Sequence, residues 1–436
     1  MTASPVHPAL IDALLHAEVY PHPVRDLQLV ETHISWVILT GDYAYKIKKP
    51  VDLGFLDFTT LEKRRFFCQE ELRLNRRLAP DIYLDVVPIT GTADDPVPDG
   101  TGEPIEYAVR MRQFSPDDQL DRLLARGALE PAQLDAVAGL VAGFHRHAAV
   151  AGADTDFGEA GSVCRAVREN FRHIRECLQQ DAPATQLDAL EAWVQAACER
   201  LAPVFARRKA EGFIRECHGD MHLRNLAWVE GRPLVFDCIE FNPQLRWIDV
   251  QSEIAFLVMD LQDRGQARLG WRVLNRWLQE SGDYAGLTVL PFYLLYRATV
   301  RAKVEAIRAT QPGIGDTERA AALAEFDAYL QLAGSYTVDT QPVLIITRGP
   351  SASGKSTVTQ PLLETLGAVR IRSDVERKRL FGVAPATDMH AGVDAGIYSA
   401  EAGRQTYARL AELAREVLAA GYRVIVDAVF QRVEQV

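Results

Sequence analysis

The stretch that decides the fold is Cys217-His218-Gly219-Asp220-Met221-His222-Leu223-Arg224-Asn225, followed by Leu234-Val235-Phe236-Asp237. Its pattern is H-G-D-x-x-x-x-N, with a second aspartate 17 residues after the first, at the end of an apolar run. Phosphoryl transfer asks little covalent chemistry of a protein. It needs a base near the acceptor hydroxyl, hard oxygen ligands for Mg2+ and a cation on the nucleotide phosphates. Asp220 is a candidate base, and Asn225 and Asp237 offer the oxygens. A chance match on a loop is the competing reading, and the elements upstream weigh against it. His218 and His222 stand at i, i+4, which on a helix would present a metal pair. Gly219-Asp220 between them suits a loop instead, and no third ligand is evident.

Upstream, Ile34–Leu39, the turn Thr40-Gly41-Asp42 and Tyr43–Lys48 predict a hairpin. Residues 60–78 have helical spacing, Tyr83–Ile89 and Ile105–Phe114 predict a second strand pair, and 90–104 reads as an exposed loop. At Ser115-Pro116-Asp117-Asp118 a hydroxyl cap, a proline and two acids predict a helix start. Further helices are predicted at about 131–147, 162–180, 185–210, 250–262, 265–282, 288–309 and 317–333, with strand islands at 213–217, 226–228 and 234–238. The resulting order is an N-terminal helical extension (1–29), a small β-rich lobe (30–114), a helical lobe (115–335), a linker (336–342) and a last α/β module (343–436).

The motif residues resemble the catalytic loop and metal-binding aspartate of the aminoglycoside phosphotransferase family, relatives of the protein kinases. In that family His-Gly-Asp stands where protein kinases carry His-Arg-Asp. The resemblance covers roughly residues 30–335 and implies an α+β, protein-kinase-like bilobal domain. It implies Asp220 as catalytic base, Asn225 and Asp237 as metal ligands, and His218 as a structural part of the loop. It also implies a strand lysine paired with a helix glutamate, holding the α- and β-phosphates. Lys46 and Glu71 fit, with Lys48 and Glu70 as competitors, because Lys46 and Lys48 share a strand face. An adenine-contacting hinge would fall near Met111 to Phe114. The first expected hairpin turn, Thr40-Gly41-Asp42, carries no G-x-G-x-x-G flap, which weighs against a protein kinase more than against a small-molecule kinase. Asp249 resembles a family aspartate that braces the catalytic loop, and a helix N-cap explains it equally well.

Gly349-Pro350-Ser351-Ala352-Ser353-Gly354-Lys355-Ser356-Thr357 matches G-x-x-x-x-G-K-[ST] between a predicted strand, Val343–Thr347, and a predicted helix reaching about Leu366. Such a loop turns backbone N–H groups onto phosphate oxygens beside a positive helix end. Gly349, Ser353, Gly354, Lys355, Ser356 and Thr357 are therefore the candidate nucleotide-binding residues, with Lys355 on the β/γ-phosphates and Ser356 on Mg2+. A strand at 369–371 leads to Ser373-Asp374 and Arg377. After a helix over about 399–419, a strand at 423–426 ends in Asp427. The module resembles the zeta-toxin and polynucleotide-kinase-like branch of P-loop kinases, which implies an α/β domain with a parallel sheet. There Asp374 would be the acceptor-site acid and Asp427 a Mg2+-side carboxylate. The plainer readings are a helix N-cap and a strand-end turn. On that resemblance, residues 343–436 supply only part of a P-loop kinase, without its further strands or arginine lid. Arg370, Arg372, Arg377 and Arg379 keep a nucleic-acid acceptor open, though an ion-paired helix start is the preferred reading.

Composition sets the outer limits. The 436 residues are 48% apolar and 25% charged, the balance of an ordinary soluble globular protein. Net charge is −11, with 12 basic and 10 acidic residues in 341–436 against 36 and 49 before it, so no global basic field for nucleic acid or membrane exists. The longest nearly apolar run, Leu287–Tyr296, is too short to span a bilayer, and the N-terminus does not read as a signal peptide. Six scattered cysteines without a C-x-x-C pair predict free thiols and a cytoplasmic setting. Together these readings predict an ATP- and Mg2+-dependent kinase acting on a small-molecule hydroxyl acceptor, with a second ATP-binding module. The alternative is a nucleotide-binding regulatory protein with little phosphotransfer. Acceptor choice would lie in 250–335, where Asp260, Asp263, Glu305 and Asp316 suit a cationic acceptor or simply a solvated helix face.

Overall fold

The computed structural model describes residues 8–54, 56–350, 353–383, 397 and 399–430. The chain begins with α1 (Ala9–Leu14), β1 (Gln28–Glu31), β2 (Ser35–Leu39), β3 (Tyr43–Lys48), α2 (Leu61–Asn75), β4 (Tyr83–Gly91), β5 (Pro96–Pro98) and β6 (Glu106–Arg112). It continues through α3 (Leu120–Ala125), α4 (Pro131–His147), α5 (Ala160–Leu178), α6 (Ala184–Ala210), β7 (Ile214–Glu216), β8 (Leu226–Val229) and β9 (Arg232–Val235). Then follow α7 (Pro243–Arg246), β10 (Trp247–Asp249), α8 (Val250–Asp263), α9 (Ala267–Ser281), α10 (Leu290–Ala309) and α11 (Asp316–Ser335). The last part holds β11 (Leu344–Ile346), α12 (Lys355–Leu366), β12 (Ala368–Arg372), α13 (Ser373–Leu380), α14 (Ala400–Ala419) and β13 (Arg423–Asp427). Two compact units result, Met1–Leu129 with His218–Arg246, and Glu130–Cys217 with Trp247–Val436.

In the first unit six strands form an antiparallel sheet in the order β1-β2-β3-β6-β4-β5. Strand alternation divides β3 between two faces. Tyr45 and Ile47 enter a core with Ile11, Leu14, Trp36 and Ile38, while Lys46 and Lys48 go to the face that meets α2. Helix α2 starts where Thr60 Oγ1 accepts the Lys63 N–H at 3.3 Å, an N-cap hydrogen bond. A second core joins Cys68, Ile82, Tyr83 and Val109 to Ala227 and Leu234 of the β8–β9 hairpin.

Three local expectations change. The first hairpin is β1–β2, turning through Thr32-His33-Ile34, because Gln28–Glu31 pairs with Trp36–Leu39. Thr32 Oγ1 accepts the Ser35 N–H at 2.9 Å and closes that turn without glycine. The expected exposed loop at 90–104 contains β5, which pairs with Ile89–Gly91 at the sheet edge, where proline's missing N–H is tolerated. Ser115 caps only a single 3-10 turn, Pro116–Asp118. Gln119 is then extended and bridges to Ala227, so α3 begins at Leu120.

The second unit holds helices α4 to α6 and α8 to α11, a short antiparallel β7–β10 pair and a parallel sheet of order β11-β13-β12. Helix α9 supports that sheet. Asn275 Nδ2 donates to the Ala368 carbonyl at 2.9 Å and its Oδ1 accepts the Arg370 N–H at 2.7 Å, standing where a neighbouring strand's peptide would stand. Gly367, with φ +61, ends α12 against Trp271, and a Cβ there would lie 2.8 Å from the indole. The expectation of six free thiols fails at Cys164 and Cys198. These lie on the packed helices α5 and α6 with Cα atoms 6.1 Å apart, within bridging range, and form a disulfide. Among the described residues no helix is long and apolar enough to cross a membrane.

Candidate active site

The catalytic-loop motif is held by its own polar atoms. Gly219 has φ +91, and a Cβ there would stand 2.6 Å from the Leu245 carbonyl oxygen, so the turn requires glycine. His218 Nδ1 accepts the Asp220 N–H at 3.3 Å, which places the ring proton on Nε2, 2.9 Å from the Phe236 carbonyl it donates to. Both ring nitrogens are thereby used, and His218 forms no metal pair with His222. Asn225 Nδ2 donates to the Asp220 carbonyl at 2.9 Å and to Asp220 Oδ2 at 3.0 Å, and His222 Nε2 lies 3.3 Å from that same Oδ2. With its Nδ2 committed, Asn225 has the amide oxygen left as a hard donor for a cation.

The sequence left two lysines and two glutamates open. Lys46 Nζ stands 2.8 Å from Glu71 Oε1 and 2.6 Å from Asp237 Oδ1. Lys48 Nζ stands 2.7 Å from Glu71 Oε2 and also pairs with Glu240 Oε1. Glu70 turns away to Arg73 at 2.9 Å and Arg246 at 3.7 Å. Exposure separates the lysines: the Lys48 side chain is 0% exposed, that of Lys46 12%. Burial alone would raise the Glu71 carboxyl, but the Lys46 and Lys48 ammoniums outweigh it and hold it at about 2. Burial would likewise lower Lys46, yet Asp237 and Glu71 keep it well above its usual value. Glu240 is pushed up by burial and by Glu71, with Lys48 opposing.

The metal-binding candidate Asp237 adopts φ +64, a left-handed conformation uncommon outside glycine. Its N–H donates to Tyr83 Oη at 3.2 Å, and the next N–H, of Cys238, donates to Asn75 Oδ1 at 2.9 Å. Strand β4 and the end of α2 thus fix the segment after β9. Lys46, Asn225, Asp237 and Met111 line one cavity of about 400 Å3 with the apolar Val30, Leu39, Ala44 and Phe114 and the cationic Arg112, Arg122 and Arg224. Asn225 and Asp237 contribute oxygen donors to that lining, the donor chemistry Mg2+ takes.

The second candidate site is a cavity of about 520 Å3 lined by Ser353, Gly354, Lys355, Ser356, Thr357, Asp374, Arg377 and Asp427, together with Arg372 and Tyr407. Gly354, at φ +80, precedes the first turn of α12. Lys355 Nζ donates to the carbonyls of Gly349 at 3.1 Å and Pro350 at 2.6 Å, and Ser356 Oγ donates to Asp427 Oδ2 at 2.5 Å. Ser351 and Ala352 of the motif lie outside the described residues. Asp374 is not a cap, because Arg372 holds that position. Asp374 sits in the first turn of α13, 2.9 Å from Lys378. Of the four arginines, Arg372 and Arg377 reach the cavity and Arg379 pairs with Glu376. Arg370 is buried, donating to the Ser356 carbonyl at 2.9 Å and to Gln360 Oε1 at 2.8 Å, and burial lowers it to about 10.

Other candidates resolve into structural roles. Asp249 accepts the Gln251 N–H as the cap of α8 and takes both arms of buried Arg208 at 2.6 and 2.8 Å. Arg208 also pairs with Asp283 at 2.7 Å. Asp260 pairs with Arg264 at 3.1 Å, and Glu305 with Arg308 at 3.4 Å, so local arginines already meet those charges. Among the described residues one buried trio, His145, Cys217 and Glu253, has metal-ligand character. Trp277 Nε1 donates to His145 Nδ1 at 3.1 Å, which leaves the ring proton on Nε2 facing Glu253 Oε2 at 3.3 Å, with no lone pair for a metal.

Glu240 and Tyr83 were not foreseen. The one signal for Glu240 is an acid between Ile239 and Phe241, three residues after Asp237. A charge in an apolar run announces a buried partner. Tyr83 carries no such mark.

The model of the phosphotransferase enzyme family matches residues 68–290, and that of an AAA domain matches residues 344–436. Uncharacterized proteins of Mycobacterium tuberculosis and Mycobacterium bovis are 34% identical over 409 residues, 93% of this chain and 79% of theirs. The chain belongs to the phosphotransferase enzyme family. Among solved structures, a choline kinase from Cryptosporidium parvum is 9% identical, with TM-score 0.48 over 74% of this chain and 95% of that one. An ADP-bound aminoglycoside phosphotransferase is 15% identical, with TM-score 0.40 over 74% of this chain and 100% of that one.

Proposed function

We propose that the chain is an ATP-dependent small-molecule kinase that moves the γ-phosphoryl group of ATP to an acceptor hydroxyl. What carries the reading is that Lys46, Asn225 and Asp237 line one cavity, with Lys46 paired to Asp237 at 2.6 Å. Asp220 accepts the hydroxyl proton as the acceptor oxygen bonds to the γ-phosphorus and the bond to the β-phosphate oxygen breaks, releasing ADP. Asn225 holds the Asp220 carboxylate in place, and Lys46, oriented by Glu71, takes the α- and β-phosphates. Asn225 and Asp237 would hold Mg2+, which when bound neutralises phosphate charge. Met111, in the lining of the same cavity, would contact adenine.

The last module we read as a second ATP site. The backbone at Gly349, Ser353, Gly354 and Thr357 would cradle phosphates, with Lys355 on the β/γ-phosphates and Ser356 and Asp427 on Mg2+. Asp374 and Arg377 stand on its acceptor side. No nucleic-acid or membrane partner is proposed.

The test is a library of metabolites and antibiotics screened with Mg2+-ATP for mass gains of about 80 Da, one phosphoryl group. Wild type should yield product and Asp220→Asn should not, while both bind ATP. Full turnover in Asp220→Asn together with none in Lys355→Ala would move the activity to the second site. ATP binding without product from any acceptor would favour a nucleotide-sensing role.

A further inference from the structure

Five charges run in sequence through the first unit: Asp237, Lys46, Glu71, Lys48 and Glu240, each ion-paired with the next. One lysine and one glutamate would suffice to hold phosphates. The second pair has a different setting. Lys48 and Glu71 are fully buried, Glu240 nearly so, and Lys48 Nζ lies 5.0 Å from the centre of the Phe58 ring. Neither Lys48 nor Glu240 lines the cavity.

We infer that Lys48 and Glu240 are positioning residues that set the distance between Lys46 and the metal-binding candidate Asp237. This rests on the proposed roles of Lys46, Glu71 and Asp237. Glu71 has two oxygens and presents one to each lysine. Lys48 occupies Oε2 and so keeps Oε1 for Lys46. Lys48 would be a second buried cation on one carboxylate, and Glu240 supplies the matching anion, since buried charges must be met. Glu240 lies three residues after Asp237, and the intervening Cys238 N–H is tied to Asn75. The Lys48–Glu240 bond therefore fastens the far end of the Asp237 segment to β3, two residues beyond Lys46. When Lys46 exchanges Asp237 for phosphate oxygens, this bond keeps the aspartate from following it.

The experiment measures equilibrium binding of ATP with and without Mg2+ to the full chain carrying Lys355→Ala, so that one nucleotide site reports. Lys48→Met and Glu240→Gln should each reduce the Mg2+-dependent gain in ATP affinity by about tenfold or more, the scale of outer-shell partners. Metal-free ATP binding should change less. The charge-balanced double variant, Lys48→Met with Glu240→Leu, guards against failure to fold and should lose the same gain, because the tether is gone. A role in folding alone would lower the melting temperature and leave the Mg2+-dependent gain intact. That outcome, with Asp237→Asn abolishing the gain, overturns this inference and spares the site. An unchanged gain in Asp237→Asn overturns both.

Discussion

Asn225 Nδ2 donates to Asp220 Oδ2 at 3.0 Å, so one amide fixes the carboxylate proposed as base and leaves its own oxygen for a cation. Asn225→Ala removes both contributions at once. Turnover should fall by about 10²-fold or more, within the range a positioned base supplies. Asn225→Asp should restore metal binding better than turnover, because it keeps an oxygen and loses the donor. Rate and Mg2+ half-saturation measured together separate the two effects.

Gly219 and Gly231 both have positive φ, but only Gly219 has backbone where a Cβ would go. Gly231→Ala should cost about 1 kcal/mol, the conformational part alone, and Gly219→Ala more than about 2 kcal/mol. Thermal melts of the two variants compare them. Equal losses would mean that the Leu245 carbonyl yields.

Arg208 stands between two buried carboxylates, Asp249 and Asp283, which outweigh burial and raise the pKa of its guanidinium well above the usual value. Arg208→Met leaves both acids buried without their cation and should cost about 3–5 kcal/mol. Denaturant unfolding at neutral pH measures it.

Glu71 is held at about 2 in the folded chain, below the value of 4.5 for a free glutamate. The unfolded chain therefore binds this proton first as pH falls, and the group's contribution is complete above about 4.5 and lost toward 2. The stability difference between wild type and Glu71→Gln should shrink as pH drops through that window. A gap constant from pH 5 to pH 2.5 would contradict the pairing with two lysines.

The two cavities proposed to take nucleotide predict two bound nucleotides per chain. Equilibrium dialysis with Mg2+-ATP should give a stoichiometry near two for wild type and near one for Lys355→Ala. One for wild type would leave the second cavity without nucleotide.

Much of this was legible because motif chemistry is local. H-G-D-x-x-x-x-N, the strand-end Asp237 and the glycine-rich loop each carry their meaning within nine residues or fewer, and long amphipathic helices such as α4 read well from spacing. The lysine choice was not legible, because Lys46 and Lys48 share a face and both bond Glu71. Exposure and the second partner, Asp237 for Lys46 and Glu240 for Lys48, distinguish them, and both are tertiary properties. Strand β1 escaped because Gln28–Glu31 is short and exposed, and pairing with β2 rather than propensity makes it a strand. The Cys164–Cys198 bridge spans 34 residues and depends on how α5 meets α6. Glu240 is the partner of Lys48, 192 positions away.

Asn275 has a consequence for how the last module is made. Its amide meets the Arg370 backbone across 95 residues of chain. A ribosome releases α9 well before β12, so the final sheet would form against a helix already in place. The fragment 343–436 made alone would expose the edge of β12, an invitation to self-association. In the whole chain the Arg370 amide should exchange its proton as slowly as α9 opens, not as slowly as the small sheet does.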